Sequence, residues 1–162
     1  MQRNKIPKIL IIAGSDSGGG AGIQADIKAV TYFKGYAMTA ITAITSQNTK
    51  GVQSIFPLPI DHIESQINSV LEDLNPNVIK TGMLADTNVI KMITSKVGEH
   101  KLVVDPVMVA TSGDILVPED CISAIKEMLL PKSFLTTPNL YEAELLSGQK
   151  VNNTEEQVEA AF

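Results

Sequence analysis

The sequence predicts an α/β fold built on an open, mostly parallel sheet, and three observations carry that reading. Short β-rich apolar runs alternate with longer stretches of helical periodicity. The first run, Lys8–Ala13 (KILIIA), is continuously apolar and ends in glycine, as a buried parallel strand does. The segments between runs are long enough for right-handed helical crossovers that cover the sheet on both faces. At 162 residues, 44% hydrophobic and 19% charged, the chain has the size and composition of one globular domain, residues 1–162, with its own core.

The elements follow in order. After KILIIA, the stretch Ala21–Lys34 repeats Ile23, Ile27, Val30 and Phe33 at helical spacing. Met38–Thr45 is rich in β-branched residues, Lys50-Gly51 marks a turn, and Val52–Phe56 is a second short run, so the pair predicts a hairpin-like flap. Pro57 and Pro59 break the chain. Asp61 is then placed to cap a helix with Ile63, Ile67, Val70, Leu71 and Leu74 on its apolar face, ended by Asn75-Pro76-Asn77. Val78–Thr81 reads as a strand, Asp86–Val97 as a helix, Lys101–Val104 as a strand and Pro118–Leu130 as a helix. Ser133–Thr136 is the next strand, and Asn139–Leu146 is a helix stopped by Gly148. Thr154 and Gln157 are spaced as the capping box of a further helix. That helix has made barely two turns at Phe162, so the expected architecture lacks its C-terminal part.

Composition narrows the function classes. A net charge of −5 without a basic stripe gives no electrostatic reason to expect nucleic acid. No stretch approaches the roughly 20 apolar residues of a membrane span, and the run after Arg3, Lys5 and Lys8 is too short for a signal peptide, which predicts a cytoplasmic protein. A single cysteine, Cys121, excludes an internal disulfide; it reads as a small apolar residue on a helix rather than a nucleophile. His62 and His100 are isolated, which argues against a zinc site.

In an open parallel sheet, ligands gather outside the carboxyl ends of the strands, and four loops leave such ends with distinctive chemistry. Gly14-Ser15-Asp16-Ser17-Gly18-Gly19-Gly20-Ala21-Gly22 joins the first strand to the first helix, where glycines permit close approach and a helix start offers N–H groups. A Walker A loop would need a Gly-Lys-Ser/Thr ending, and the first lysine is Lys28. Gly20–Ala25 fits G-x-G-x-x-A, yet no acid follows between Asp26 and Asp61 to hold a ribose, so a dehydrogenase is the weakest option. Ser46-Gln47-Asn48-Thr49 offers an amide able to read an aminopyrimidine edge, or simply a turn. Asp105, after Leu102-Val103-Val104, is placed to hold magnesium or merely to leave a strand as Asp-Pro. Asn139 and Glu142 are spaced as a capping box, and Glu142 is equally placed near a metal-bound phosphate.

In order, AGSDSGGGAGIQAD (Ala13–Asp26), ITAITSQNT (Ile41–Thr49), KTGML (Lys80–Leu84), VVDPVMVATSGD (Val103–Asp114) and TPNLYEAE (Thr137–Glu144) resemble the hydroxymethylpyrimidine/phosphomethylpyrimidine kinases of thiamine biosynthesis, within the ribokinase-like superfamily. The resemblance runs from about Lys8 to the last residue. It implies a three-layer α/β/α domain that uses ATP and Mg2+ to phosphorylate 4-amino-5-hydroxymethyl-2-methylpyrimidine and then its monophosphate, and a homodimeric full-length protein. By the same resemblance Gly14, Asp26, Gln47, Met83 and Val107 match the pyrimidine pocket, with Gln47 on the amino edge, Asp26 on a hydroxyl and Met83 and Val107 about the ring. Asp105, Asn139 and Glu142 match the nucleotide side, with Asp105 and Glu142 near the metal. Tyr141 stands where the family often has proline, and Thr111 where it often has lysine. The family's later lysine-and-glycine stretch and its G-T-G-C-type anion hole have no counterpart after Glu142, and Cys121, between Asp120 and Ile122, does not supply it. The catalytic donors are therefore expected outside these 162 residues, and the chain alone is expected to be inactive or nearly so. A pyridoxal/pyridoxine kinase of the same superfamily and a non-catalytic pyrimidine- or nucleotide-binding module are the alternatives.

Overall fold

The computed structural model describes residues 6–109, 117–153 and 155–157. Thr111, the end of the fourth motif beyond Val109, and the capping box proposed at Thr154 lie outside the described residues. Six strands form one sheet in the order β3-β2-β1-β4-β5-β6. They are β1 (Lys8–Asp16), β2 (Tyr36–Asn48), β3 (Gly51–Pro57), β4 (Val78–Thr81), β5 (Lys101–Val104) and β6 (Leu135–Thr136). All neighbours are parallel except β2 and β3, which form the expected antiparallel hairpin. The helices are α1 (Gly22–Tyr32), α2 (Ile60–Asp73), α3 (Thr87–Lys96), α4 (Glu119–Ala124) and α5 (Leu140–Ser147). No described helix is long and apolar enough to cross a membrane.

Alternation along the strands sorts the side chains onto two faces. Leu10 and Ile12 of β1, Met38 and Ala40 of β2, Ile79 of β4 and Leu102 of β5 join the larger core with Ile63 and Ile67 of α2 and Ile90 and Ile93 of α3. Ile11 and Ala13 point the other way and pack with Ile23 of α1 in a smaller cluster. Helices thus lie on both faces, as expected, with α1 packed on β1 and β2.

Several local readings need correction. Asp61 does not cap α2; the helix begins one residue earlier after Pro59, and Asp61 lies in its first turn. There a carboxylate acts on the helix dipole without a capping hydrogen bond. The predicted Pro118–Leu130 helix is α-helical only to Ala124, continues as a π turn (Ile125–Leu129) and tightens into a 3-10 turn at Leu130–Lys132, where Pro131 supplies no N–H. Cys121 is buried in the main core. Burial pushes its thiol pKa up, so it is a packing residue. Strands β1 and β2 both run further than their apolar cores. Asp16 still pairs with Thr45, and beyond it β2 pairs with β3 alone, so the hairpin projects past the carboxyl edge of the sheet.

Gly22 opens α1 at φ +56°, and a Cβ there would overlap the Gly14 carbonyl oxygen. Gly148 ends α5 at φ +73° with open space around it. Replacing each by alanine therefore separates steric overlap from backbone conformation. Gly148→Ala is expected to cost about 1 kcal/mol, and Gly22→Ala about 3 kcal/mol or more. Urea unfolding of both variants checks this, and equal costs would refute the overlap.

Candidate active site

The chain runs from β1 outward to β2 and β3, then crosses back to β4 on the other side of β1, so the switch in strand order lies between β1 and β4. A cavity of about 460 Å3 opens there, at the carboxyl ends of the strands. Gly14, Asp26, Gln47, Met83 and Val107, read from sequence as the acceptor side, all line it, and so do Asp105, Asn139 and Glu142 from the nucleotide side. A second hollow, about 390 Å3 beside α5, is lined by Tyr141, Leu145 and Glu144 among others. Glu144 is already engaged there by Lys150 and the Val151 N–H.

The glycine loop is filled from within. The Asp16 carboxylate accepts hydrogen bonds from the N–H groups of Gly18 (2.7 Å), Gly20 (2.9 Å) and Ala21 (2.8 Å). Burial pushes this carboxyl up, but the N–H groups of Ala21, Gly18, Gly20 and Gly19 outweigh it and hold its pKa below the ordinary 3.8. Three N–H groups that lead into this helix start are therefore spent on the protein's own anion, while α1 itself begins at Gly22 without a side-chain cap. Gln24 fastens the other side of the turn, accepting from Asp16 N–H (2.8 Å) and donating to Ser15 Oγ (2.7 Å).

Gln47 sits where β2 leaves β1 to run with β3, next to a register shift. Ser17 clamps it from the glycine loop: the Ser17 hydroxyl donates to the Gln47 carbonyl and accepts from the Gln47 N–H, each at 2.8 Å. Its side-chain Oε1 lies 3.1 Å from Thr45 Oγ1. The amide nitrogen has no partner among the described residues, which leaves a donor for the cavity. Met83 comes from the segment after β4, held by Thr42 Oγ1 donating to its carbonyl. Its terminal methyl would lie 3.0 Å from any Cβ at Gly14, so the glycine keeps space for it.

Lys80 occupies the floor between the two sides. It pairs across the sheet with Ile11 of β1 and Val103 of β5, which puts its side chain on the α1 face. Nζ donates to Asp26 Oδ2 at 2.8 Å and to Asp105 Oδ2 at 3.0 Å. The three side chains are 18%, 24% and 32% exposed. Burial alone would lower the Lys80 pKa; the hydrogen bonds and charges of Asp26 and Asp105 outweigh it and raise it above 10.5, so the ammonium stays charged. Asp26 and Asp105, read separately from sequence, are thus two ends of one ionic bridge.

Glu142 is 2% exposed, and both its oxygens already accept backbone bonds, Oε1 from Met108 N–H at 3.1 Å and Oε2 from Asn139 N–H at 2.8 Å. Asn139 Oδ1 returns a bond by accepting from Glu142 N–H at 3.0 Å, completing the capping box of α5. Among the described residues no three acidic, histidine or cysteine side chains converge as a metal cage. Hard carboxylate oxygens at Asp105 and Glu142 nonetheless suit a magnesium ion that keeps waters and takes phosphate oxygens for its remaining ligands.

Five residues that build the site carry no clear signal in the sequence. Lys80 was visible inside KTGML but read only as part of a motif, and its signal is a lone lysine in a short buried strand. Asp16 and Ser17 looked like loop polarity, and Val52 and Ile55 of the flap, which line the cavity, looked like plain strand. Asp16→Asn is expected to cost about 1–3 kcal/mol at neutral pH, because an amide NH2 would face the N–H groups. A carboxyl with a lowered folded pKa stabilises above its unfolded value and loses that contribution as pH falls through the folded one. The difference in urea midpoint between parent and variant should hold above about pH 5 and shrink below 3.8; a difference that persists unchanged to low pH would contradict this.

Comparison with known proteins places these features. Residues 16–162 match the family model described as phosphomethylpyrimidine kinase. A hydroxymethylpyrimidine/phosphomethylpyrimidine kinase of Bacillus subtilis is 45% identical over 159 residues, which are 96% of this chain and 59% of the relative; the chain spans about three-fifths of that protein's length. The crystal structure of a phosphomethylpyrimidine kinase from Clostridium difficile superposes with a TM-score of 0.88 at 40% identity, over 96% of this chain and 68% of that one. A Staphylococcus aureus pyridoxal kinase in complex with AMP-PCP and pyridoxal superposes at 0.85 with 38% identity, over 96% and 57% of the two chains. With its motifs gathered about one cavity and this match over nearly all its length, the chain belongs to the phosphomethylpyrimidine kinase family.

Proposed function

We propose that the protein carrying this chain transfers the γ-phosphoryl group of ATP to the hydroxymethyl oxygen of 4-amino-5-hydroxymethyl-2-methylpyrimidine, and then phosphorylates the resulting monophosphate. The observation that carries this is the meeting of an amide-and-apolar wall with an acidic wall in one cavity, on either side of Lys80. Gln47 offers its amide to the aminopyrimidine edge, Met83 and Val107 contact the ring, and Asp26 accepts from the hydroxyl. Asp105 and Glu142 would hold Mg2+ on the other side, with Asn139 beside them. When bound, Mg2+ neutralises charge on the transferring phosphate. The chain's own residues orient the acceptor and keep its oxygen facing the phosphate side, and positioning is a large part of phosphoryl-transfer catalysis.

The exposed apolar side chains of β3, such as Phe56, support association between copies, in keeping with a homodimer. The likeness to the Staphylococcus aureus pyridoxal kinase favours a second reading, in which the acceptor is a hydroxymethyl-bearing pyridine.

ATP-dependent phosphorylation by a protein of the relatives' full length tests both readings, with the pyrimidine expected to be the better substrate; a preference for pyridoxal would overturn the acceptor assignment. The 162-residue chain is expected to bind the pyrimidine yet turn over little, and robust turnover would refute that. Gln47→Ala is expected to weaken pyrimidine binding about tenfold in calorimetry while leaving nucleotide affinity unchanged.

A further inference from the structure

Lys80 is the one cation lining the cavity among the described residues, and it is engaged at once with a carboxylate from each side. Asp26 rides on α1, the helix that follows β1, while Asp105 leaves the end of β5. Lys80 comes from β4, the strand between β1 and β5, so it reaches both from the middle. The surroundings keep that reach open. Gly82 has an ordinary negative φ, yet a Cβ there would stand 2.9 Å from the Ala13 side chain and 3.4 Å from Lys80 Nζ. Backbone bonds fix the three strand ends relative to each other: Gly82 N–H donates to the Ile12 carbonyl at 2.9 Å, and Asp105 N–H to the Thr81 carbonyl at 3.1 Å. A side chain that merely filled the floor would need neither the charge nor two partners.

We propose that Lys80 is a positioning residue: its ammonium holds Asp26 in the orientation that accepts the acceptor's hydroxyl, and ties that carboxylate to Asp105 on the phosphate side. This rests on the acceptor reading given above. Without the ammonium, two carboxylates would face each other with nothing between them, and mutual repulsion would turn Asp26 away from the hydroxyl. The loss would fall on the interaction with that hydroxyl and not on binding of the ring, which Gln47, Met83 and Val107 serve.

The test uses the 162-residue chain and two pyrimidines, 4-amino-5-hydroxymethyl-2-methylpyrimidine and 4-amino-2,5-dimethylpyrimidine, which lacks the hydroxyl. Affinities are measured by calorimetry for the parent, Lys80→Met, Asp26→Asn and the double variant, without nucleotide or metal. Lys80→Met is expected to weaken the hydroxymethyl compound about tenfold and the dimethyl compound by no more than about twofold. The double variant should bind within about threefold of Asp26→Asn alone, since one effect acts through the other. Lys80→Arg keeps a cation able to donate to both carboxylates. It should retain the parent's discrimination between the two compounds, and it carries the test if Lys80→Met does not fold. Equal loss for both pyrimidines, losses that multiply in the double variant, or an arginine variant that no longer discriminates would overturn the proposal. A parent chain that binds neither pyrimidine would instead refute the acceptor reading, and the role of Lys80 would fall with it.

Discussion

The Asp16 carboxylate, buried under the N–H groups of Gly18, Gly20 and Ala21, is the interaction on which the geometry of the site depends. It closes a turn of flexible residues into one conformation and sets the start of α1 beside the end of β1. From that start the rest follows by connectivity. Asp26 is delivered one turn into α1, Ser17 is held where it can clamp the Gln47 backbone, and Gly22 lies against the Gly14 carbonyl. A loop this rich in glycine would otherwise lose much conformational entropy on ordering. Three hydrogen bonds to one ionised group offset part of that cost, since charge-assisted bonds are stronger than neutral ones.

The same interaction bears on what the loop does. Glycines at a strand-to-helix turn suggest a phosphate cradle, because their N–H groups can converge on an anion. Here the anion is an aspartate two residues before Gly18, and it takes the donors of Gly18, Gly20 and Ala21. The loop is therefore a wall that positions Asp26 and Gln47. This supports the acceptor-side role proposed for it, which needs no lysine at the end of the loop.

Much of this was legible in the sequence where one physical rule acted alone. Strands β4 and β5 have the predicted bounds because a short continuous apolar run between polar turns has few other ways to be buried. Asn139, Glu142 and Gly148 frame α5 as read, because a capping box and a left-handed glycine are local geometry. The ends of β1 and β2 were not legible: Gly14, Ser15 and Asp16 read as loop, and only pairing with Ile44 and Thr45 makes two of them strand. Lys80 was not legible as a site residue because its meaning depends on two carboxylates, one 54 positions before it and one 25 after. The eight residues taken from motifs line one cavity; the capping box implied the Glu142 bond to the Asn139 N–H, but nothing in the sequence implied the one from Met108 N–H, 34 positions away.

These engagements together constrain the electrostatics of the cavity. On the proposed reading an acidic chain accommodates a polyanionic nucleotide, and the usual devices are unpaired N–H groups, free cations and metal ions. In the described part of the cavity the N–H groups of Gly18, Gly20 and Ala21 belong to Asp16, and the Lys80 ammonium is divided between Asp26 and Asp105. What remains on the side proposed for phosphate is carboxylate oxygen, at Asp105 and, already engaged by two N–H groups, at Glu142. Carboxylates repel phosphate unless a cation lies between them, so this wall makes sense as the protein's share of a divalent-metal site. Lys80 then has a second consequence: it leaves its two aspartates with one net negative charge instead of two. On the proposed reading that limits the repulsion an incoming phosphate would meet while keeping an acidic group for Mg2+.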